Sequence, residues 1–383
     1  MKNKENLFFI CTKLPWPLDS GQNLRAFNLL KYFSKEYHLN LICISEDISR
    51  KKELQKQIKF KKFILVKQGR LDVLYGIIQG LLSFKPIQVA RFKSKKMQKE
   101  LLELSNSNHI FFFHLDRAAQ YEHLISSDKK YLDMCDVSSK RYYQNYKDLS
   151  FFDFKKWIFL YEYFAALRSE NFYPNKFKKV FLHSAKEVDE RNLVSKNKIF
   201  TQSTMGISNL TSGHLWSKQS NKILFIGTLN YHPNLSGVKW FIKNILINFK
   251  DLELHIVGTV KRFEKDELEK NMNVFCHGFV ENLEDLGITF SFGISPIFSA
   301  AGIQNKIIDY ISFGLPIVAS KESLQGFSSL IRKEICEANL AKDWVELFSN
   351  PIQINHSPVY LKQCIQKEHS WIKITQKIIG SLK

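Results

Sequence analysis

Short runs of apolar residues recur along this chain, and longer segments with three- and four-residue apolar spacing separate them. Residues 7–11 (LFFIC), 39–44 (LNLICI), 63–66 (FILV), 110–113 (IFFF) and 180–182 (VFL) are too short for helices. They read as strands buried on both faces. Residues 24–33 carry helical spacing, and 138–172 read as one or two long helices rich in Tyr and Phe. Strands alternating with helices imply parallel βαβ units. The pattern breaks over 206–221 (GISNLTSGHLWSKQSN), where Ser, Gly and Asn mark a linker. It then resumes. Residues 223–226, 252–257, 274–276, 290–294 and 316–319 read as strands, with helices expected near 235–247, 303–313 and 339–349. Residues 370–382 have helical periodicity and close the chain. The expected division is a first domain over 1–207, a linker over 208–221, a second domain over 222–360 and a C-terminal segment over 361–383. Two successive open α/β domains imply crevices at the carboxyl ends of their strands, facing a shared cleft.

The 383 residues carry a formal net charge of +19, and its distribution is uneven. Residues 1–200 hold 37 Lys and Arg against 21 Asp and Glu, while the remainder hold 19 against 16. Such a field attracts nucleic acid, an anionic lipid surface or phosphorylated substrates, unless it is only lysine-rich composition. No recognised nucleic-acid motif is present, so no nucleic-acid partner is expected. Residues 50–70 and 85–99 are dense in Lys and Arg with interleaved Phe and Leu. These segments can rest on an anionic bilayer, with a solvated charged face as the alternative. The six cysteines lie far apart, without metal-ligand spacing, which suits reduced thiols in the cytoplasm. Residues 1–10 read as a first strand rather than a signal peptide. No stretch reaches 18 apolar residues. The expected location is cytoplasmic, with any lipid contact at the inner face of the membrane.

Residues 296–320 (PIFSAAGIQNKIIDYISFGLPIVAS) carry the densest chemical signal. A strand ends near Pro296, a small-residue turn follows, and a helix is expected to begin near Ile303 and to end at Gly314. Small residues let a ligand approach the backbone. Free N–H groups and the helix dipole favour a phosphate there. Asn305 and Lys306 add a donor and a positive charge. Asp309 shares a face with Lys306, and its carboxylate can accept hydrogen bonds from both hydroxyls of a ribose. An ordinary crossover helix with a Gly C-cap would show the same pattern.

Three segments in this order and spacing resemble glycosyltransferase family 4, the glycosyl transferases group 1 with the GT-B fold. They are ILFIGTLNYHPNLSGVKWF at 223–241, LHIVG at 254–258 with VFCHGFV at 274–280, and GIQNKIIDYISFGLPIVAS at 302–320. The Tyr-x-Pro-Asn turn at Tyr231–Asn234 is similar to that of a polysaccharide sugar-transferase subgroup. Residues 15–30 (PWPLDSGQNLRAFNLL) resemble the family's first loop and helix.

The resemblance implies an α/β GT-B fold of two Rossmann-like domains, with a C-terminal helix crossing back to the first. It implies a retaining hexosyltransferase that uses a UDP- or GDP-linked sugar as co-substrate and a lipid-linked or glycan acceptor in cell-envelope synthesis. Asp309 falls where the family binds the donor ribose. Gly302, Ile303, Asn305 and Lys306 fall at the helix start facing the diphosphate. Gly227, Thr228 and Gly258 line the donor site, Phe279 and Val280 flank the base, and Ser20 and Gly21 lie in the first loop near the donor.

His114 ends a strand, in position to touch the transferred sugar or acceptor, or to make one local hydrogen bond. Arg25 can reach an acceptor phosphate or serve structure. Asp19 can meet the acceptor or cap a helix beginning near Gln22. The family's usual acid eight positions before Asp309 is Ala301 here, and its basic pair after the glycine turn is missing. No Asp-x-Asp pair is present, and no metal or other cofactor is expected. The rivals are a homologue that binds sugar nucleotides without turnover and a nucleotide-sugar 2-epimerase.

Overall fold

The computed structural model describes residues 4–18, 20–45, 49–104, 108–195, 197–207, 215–299, 303–350 and 358–383. The chain divides into two units: Met1–Gly206 together with Trp371–Lys383, and Ile207–Ser370.

The first unit is built on seven parallel strands: β1 (Asn6–Cys11), β2 (His38–Ser45), β3 (Lys62–Lys67), β4 (Ile110–His114), β5 (Lys130–Cys135), β6 (Lys179–Leu182) and β7 (Phe200–Gln202). Their order is β3-β2-β1-β4-β5-β6-β7. Leu7, Phe9 and Cys11 of β1 enter one core, while Phe8 and Ile10 enter the other. Both faces are covered, so nearly every position must be apolar, which is why these strands read as unbroken runs. The helices Gly21–Glu36 and Trp371–Leu382 pack together over the first core, where Ile374, Ile378 and Leu382 are buried. A Cβ on Gly206 would lie 2.3 Å from the Trp371 ring, so only glycine lets that indole close on the chain.

The second unit has six parallel strands: β8 (Lys222–Ile226), β9 (Glu253–Val257), β10 (Val274–Gly278), β11 (Phe292–Ser295), β12 (Ile317–Ala319) and β13 (Cys336–Glu337). Their order is β10-β9-β8-β11-β12-β13. The expected linker is in part a piece of this unit: Leu215 is buried in its core and Trp216 bridges to Phe290. Residues 208–214 lie outside the described residues. The returning segment starts at Trp371 rather than 361. The helix Pro358–Glu368 belongs to the second unit, because Leu361 and Ile365 are buried in its core.

Tyr310 ties β8 to β11. Its hydroxyl donates to the Ile294 carbonyl at 2.9 Å and accepts from the Ile226 N–H at 2.9 Å. Gly293 makes room, since a Cβ there would stand 2.4 Å from the ring. Tyr310→Phe keeps the ring but leaves the buried Ile294 carbonyl without this donor and the part-buried Ile226 N–H without its acceptor. It should cost about 1–3 kcal/mol in urea denaturation; a loss below about 0.5 kcal/mol would contradict this bridging role.

Both sheets reverse their strand order once, at β1/β4 and at β8/β11. In an open parallel sheet the crevice beyond the carboxyl ends at such a reversal is the place for a ligand. No described helix is long and apolar enough to cross a membrane.

Candidate active site

At the β8/β11 reversal the backbone is drawn in tightly. Gly227 follows β8 with φ 152°, and Gly258 follows β9 with φ 144°. Gly227 N–H donates to Val257 O and Gly258 N–H to Gly278 O, at 2.8 and 2.7 Å. A Cβ on Gly258 would fall 2.3 Å from Gly227 O, so the two turns nest only as glycines. Thr228 and Thr259 link these turns through their hydroxyls, 2.6 Å apart.

Asn234 connects this turn to the helix that follows β11. It lies in the first turn of the helix His232–Asn244, entered through Pro233. Its Nδ2 donates to Thr228 O at 2.9 Å, and its Oδ1 accepts from Lys306 Nζ at 3.1 Å. Lys306 also donates to Gln304 Oε1 at 3.1 Å, and its Nζ lies 5.2 Å from the centre of the Phe225 ring. The ammonium is thus buried on two neutral oxygens. Burial pushes its pKa down to about 7, against a smaller opposing pull from Asp309. Asp309, three residues on in the same helix, is pushed up to about 6 by burial, with Lys306 opposing. Both groups therefore sit near their charge transition around neutral pH.

The helix opens at Asn305, not Ile303. Gln304 occupies the cap position but makes no side-chain cap bond, because its amide oxygen is engaged by Lys306. Asn305 is partly exposed, and Ile303 packs against the core. Gly302 lies outside the described residues, as does Ala301. Beyond β10 the Phe279 ring is largely exposed, whereas Val280 packs inward.

The β1/β4 reversal carries a second set. Ser20 caps the helix Gly21–Glu36, its Oγ accepting from Asn23 N–H at 3.3 Å. The cap is therefore Ser20, and the helix starts at Gly21 rather than near Gln22; Asp19 lies outside the described residues. Arg25 points inward and is fully buried, so of the roles expected for it the structure shows the structural one. Its Nε and Nη2 donate to the two oxygens of Asp133 at 2.8 and 2.7 Å. It also donates to Ser203 Oγ at 2.9 Å and to Thr204 O at 2.8 Å.

His114 Nδ1 lies 2.9 Å from Asp133 Oδ2. Burial alone would raise the Asp133 carboxyl, yet Arg25 and His114 hold it far below the usual range. Burial first, and then the charges of Arg25 and Arg117, lower the pKa of His114 against the opposing pull of Asp133. The imidazole is then neutral and donates from Nδ1, so Nε2 carries a lone pair. That atom is buried and has no partner among the described residues. It can accept a hydrogen bond from a ligand hydroxyl. His114, Asp133 and Cys135 have metal-like spacing, but Asp133 already carries a guanidinium on both oxygens, which disfavours a second cation.

Gln304 and Asp133 escaped the sequence reading as parts of these sites. Asp133 left one signal, an acid inside an otherwise apolar run, which demands a buried partner.

Comparison with known proteins bears on this arrangement. Residues 220–352 match the family model for glycosyl transferases group 1. No curated protein matches the chain by sequence at a significant level. Similar solved structures include a sucrose-phosphate synthase from Thermosynechococcus elongatus, at 12% identity and TM-score 0.71, covering 99% of this chain and 98% of that one. The Anabaena HepE protein in complex with UDP and glucose aligns at 11% identity and TM-score 0.66, covering 99% of each chain. A lipopolysaccharide outer core galactosyltransferase, WaaB, aligns at 10% identity and TM-score 0.62, covering 98% of this chain and 99% of that one. Residues 220–352 thus match the glycosyl transferases group 1, within a chain that has the two-unit GT-B fold of these glycosyltransferases.

Proposed function

We propose that this chain transfers a hexose from a UDP- or GDP-linked donor to a lipid-linked or polysaccharide acceptor, with retention of anomeric configuration and without a metal. One observation carries the reading most. A buried lysine, steered by Asn234, stands beside a glycine turn at the β8/β11 reversal.

When the bond between the sugar's anomeric carbon and the phosphate oxygen breaks, negative charge grows on the leaving diphosphate. Lys306 neutralises that charge in a low-dielectric setting, and the N–H groups opening the Asn305 helix assist. Asp309 accepts from the ribose hydroxyls. Gly227, Thr228 and Gly258 admit the donor close to the backbone, and Phe279 and Val280 flank the base. The acceptor oxygen bonds to the anomeric carbon on the same face, and its proton passes to the departing phosphate oxygen. His114 Nε2 receives a sugar or acceptor hydroxyl, while Ser20 and Gly21 follow β1 as further donor contacts. In this reading the reaction runs at the cytoplasmic face of the membrane, in envelope glycan assembly. The UDP and glucose in the HepE complex support the choice of ligand class.

A thermal-shift panel of UDP-, GDP-, ADP- and CMP-linked sugars tests this, followed by product analysis of the anomeric configuration. Stabilisation by one nucleotide class with transfer to a lipid-linked glycan is expected. Stabilisation without turnover would favour the binding-only homologue, and an inverted product would remove the retaining assignment.

The charge states of Lys306 and Asp309 give a pH signature. A diphosphate prefers Lys306 protonated, so affinity should weaken as pH rises through about 7. Ribose hydroxyls prefer Asp309 ionised, so affinity should also weaken as pH falls through about 6. Calorimetry across this range should show a maximum between the two for the nucleoside diphosphate. The free nucleoside should show only the acid limb; identical profiles for both ligands would remove Lys306 from the phosphates.

A further inference from the structure

The helix Arg70–Leu82 is mounted with its apolar side outward. Leu71, Leu74, Tyr75, Ile78, Leu81 and Leu82 fall on one stripe, and all six are exposed, Leu71 and Leu82 by more than four-fifths. The buried positions are Gly76 and Gly80. A Cβ at Gly76 would stand 2.5 Å from Ala90 O, and one at Gly80 would stand 2.2 Å from Ala90 Cβ. The helix is therefore docked through its glycines, and turning it to bury the stripe would drive large side chains into that contact.

A second apolar row adjoins it. The helix Phe154–Phe172 exposes Phe154, Trp157, Ile158 and Phe164. Tyr161, in the same row, is covered by the segment that follows the first helix. Its hydroxyl donates to Lys85 O at 2.9 Å, and its ring meets Phe84 edge-on at 5.3 Å. The turn before this helix adds Phe151 and Phe152, the latter 93% exposed. An apolar surface of this extent marks a contact site rather than scattered surface residues.

The charges beside it identify the partner. Lys95 Nζ lies over the Tyr75 ring at 5.5 Å. Lys96 and Lys99 are exposed on the helix Lys95–Leu102, and Lys155 is exposed in the second row. Residues 1–200 carry 37 basic against 21 acidic side chains. A second copy of this chain would bring the same sign of charge to the contact, whereas an anionic surface complements it. We propose that this face of the first unit docks on an anionic lipid bilayer, its two apolar rows entering the headgroup layer and its lysines meeting lipid phosphates. The helix Lys51–Gln57, in the basic segment singled out from the sequence, turns its one leucine, Leu54, into the core. The contact therefore shifts to residues 70–102 and 151–164. The proposal does not rest on the glycosyl-transfer reading.

Flotation of the full chain tests it, with vesicles of phosphatidylcholine alone and of phosphatidylcholine with phosphatidylglycerol. The chain should float with the anionic vesicles only and be released as salt is raised. Leu74→Glu/Ile78→Glu should reduce binding by about tenfold or more, with the melting temperature unchanged. Lys95→Glu/Lys96→Glu should weaken it similarly, and this pair carries the test should the first variant misfold. Equal flotation of folded variants and wild type would overturn the proposal. So would wild-type chain that stays unbound, including chain that instead dimerises through this stripe in sedimentation.

Discussion

Lys306→Met should lower kcat/KM for the nucleotide-sugar donor by about 10²–10³-fold, the loss seen when a preorganised charge-stabilising donor is removed. Methionine keeps the unbranched stem beside Phe225 and deletes the charge. Affinity for the nucleoside diphosphate should fall while that for the free nucleoside holds. The fold should survive. In the folded chain Lys306 titrates near 7, below the ordinary value of 10.5, so its protonated form is disfavoured by burial. That cost is fully present below about pH 7 and fades as pH rises toward 10.5, because over this interval the unfolded chain binds the extra proton. The variant is freed from the cost but loses two hydrogen bonds to Asn234 and Gln304, and these effects offset. Steady-state kinetics with calorimetry of both ligands decides the matter. Parallel loss of diphosphate and nucleoside binding would show that the lysine shapes the pocket rather than meeting phosphate.

The second large effect concerns folding. Asp133→Asn leaves the Arg25 guanidinium fully buried without a counter-charge. Removing one member of a buried ion pair costs about 3–5 kcal/mol, a large part of the roughly 5–15 kcal/mol that holds a protein folded. Urea denaturation should register this as a shift of the first unit's transition. The double change Arg25→Met/Asp133→Leu should recover part of the loss, since an apolar pair of similar volume replaces the charges. The low pKa of Asp133 has a definite sign. Its stabilising contribution is complete above the ordinary carboxylate range and is lost only as pH falls below it, so the wild type should show no Asp133-linked change between pH 5 and 8. A loss under about 1 kcal/mol would mean that Arg25 finds another partner or reaches solvent.

The sequence made the fold legible where both faces of a strand are covered. Residues 7–11 and 110–113 advertise β1 and β4 because nothing polar is tolerated there. It hid β5 (KYLDMC), where Asp133 interrupts the apolar run, and that acid is acceptable only because of Arg25, 108 positions away. The two-residue β13 is too short to carry a pattern, and β7 (FTQ) has only one apolar residue to mark it. The phosphate end of the candidate site was legible in part. A three-residue spacing is enough to align Lys306 with Asp309. Which way the lysine nitrogen turns depends on Asn234, 72 positions earlier, and local spacing carries no information about that. For the same reason the structural role of Arg25 stood as only one of its alternatives: its counter-charge, Asp133, lies 108 positions away.

The division of the chain between its units has a temporal consequence. The second unit occupies one uninterrupted stretch, Ile207–Ser370, whereas the first is completed by Trp371–Lys383. During synthesis from the amino end, the seven strands of the first sheet emerge early, yet Leu29, Phe33 and Tyr131 await the isoleucines of the last helix. The nascent first unit is therefore left with an open seam until Trp371–Lys383 has emerged, and the later-made module has all its parts before the earlier one does.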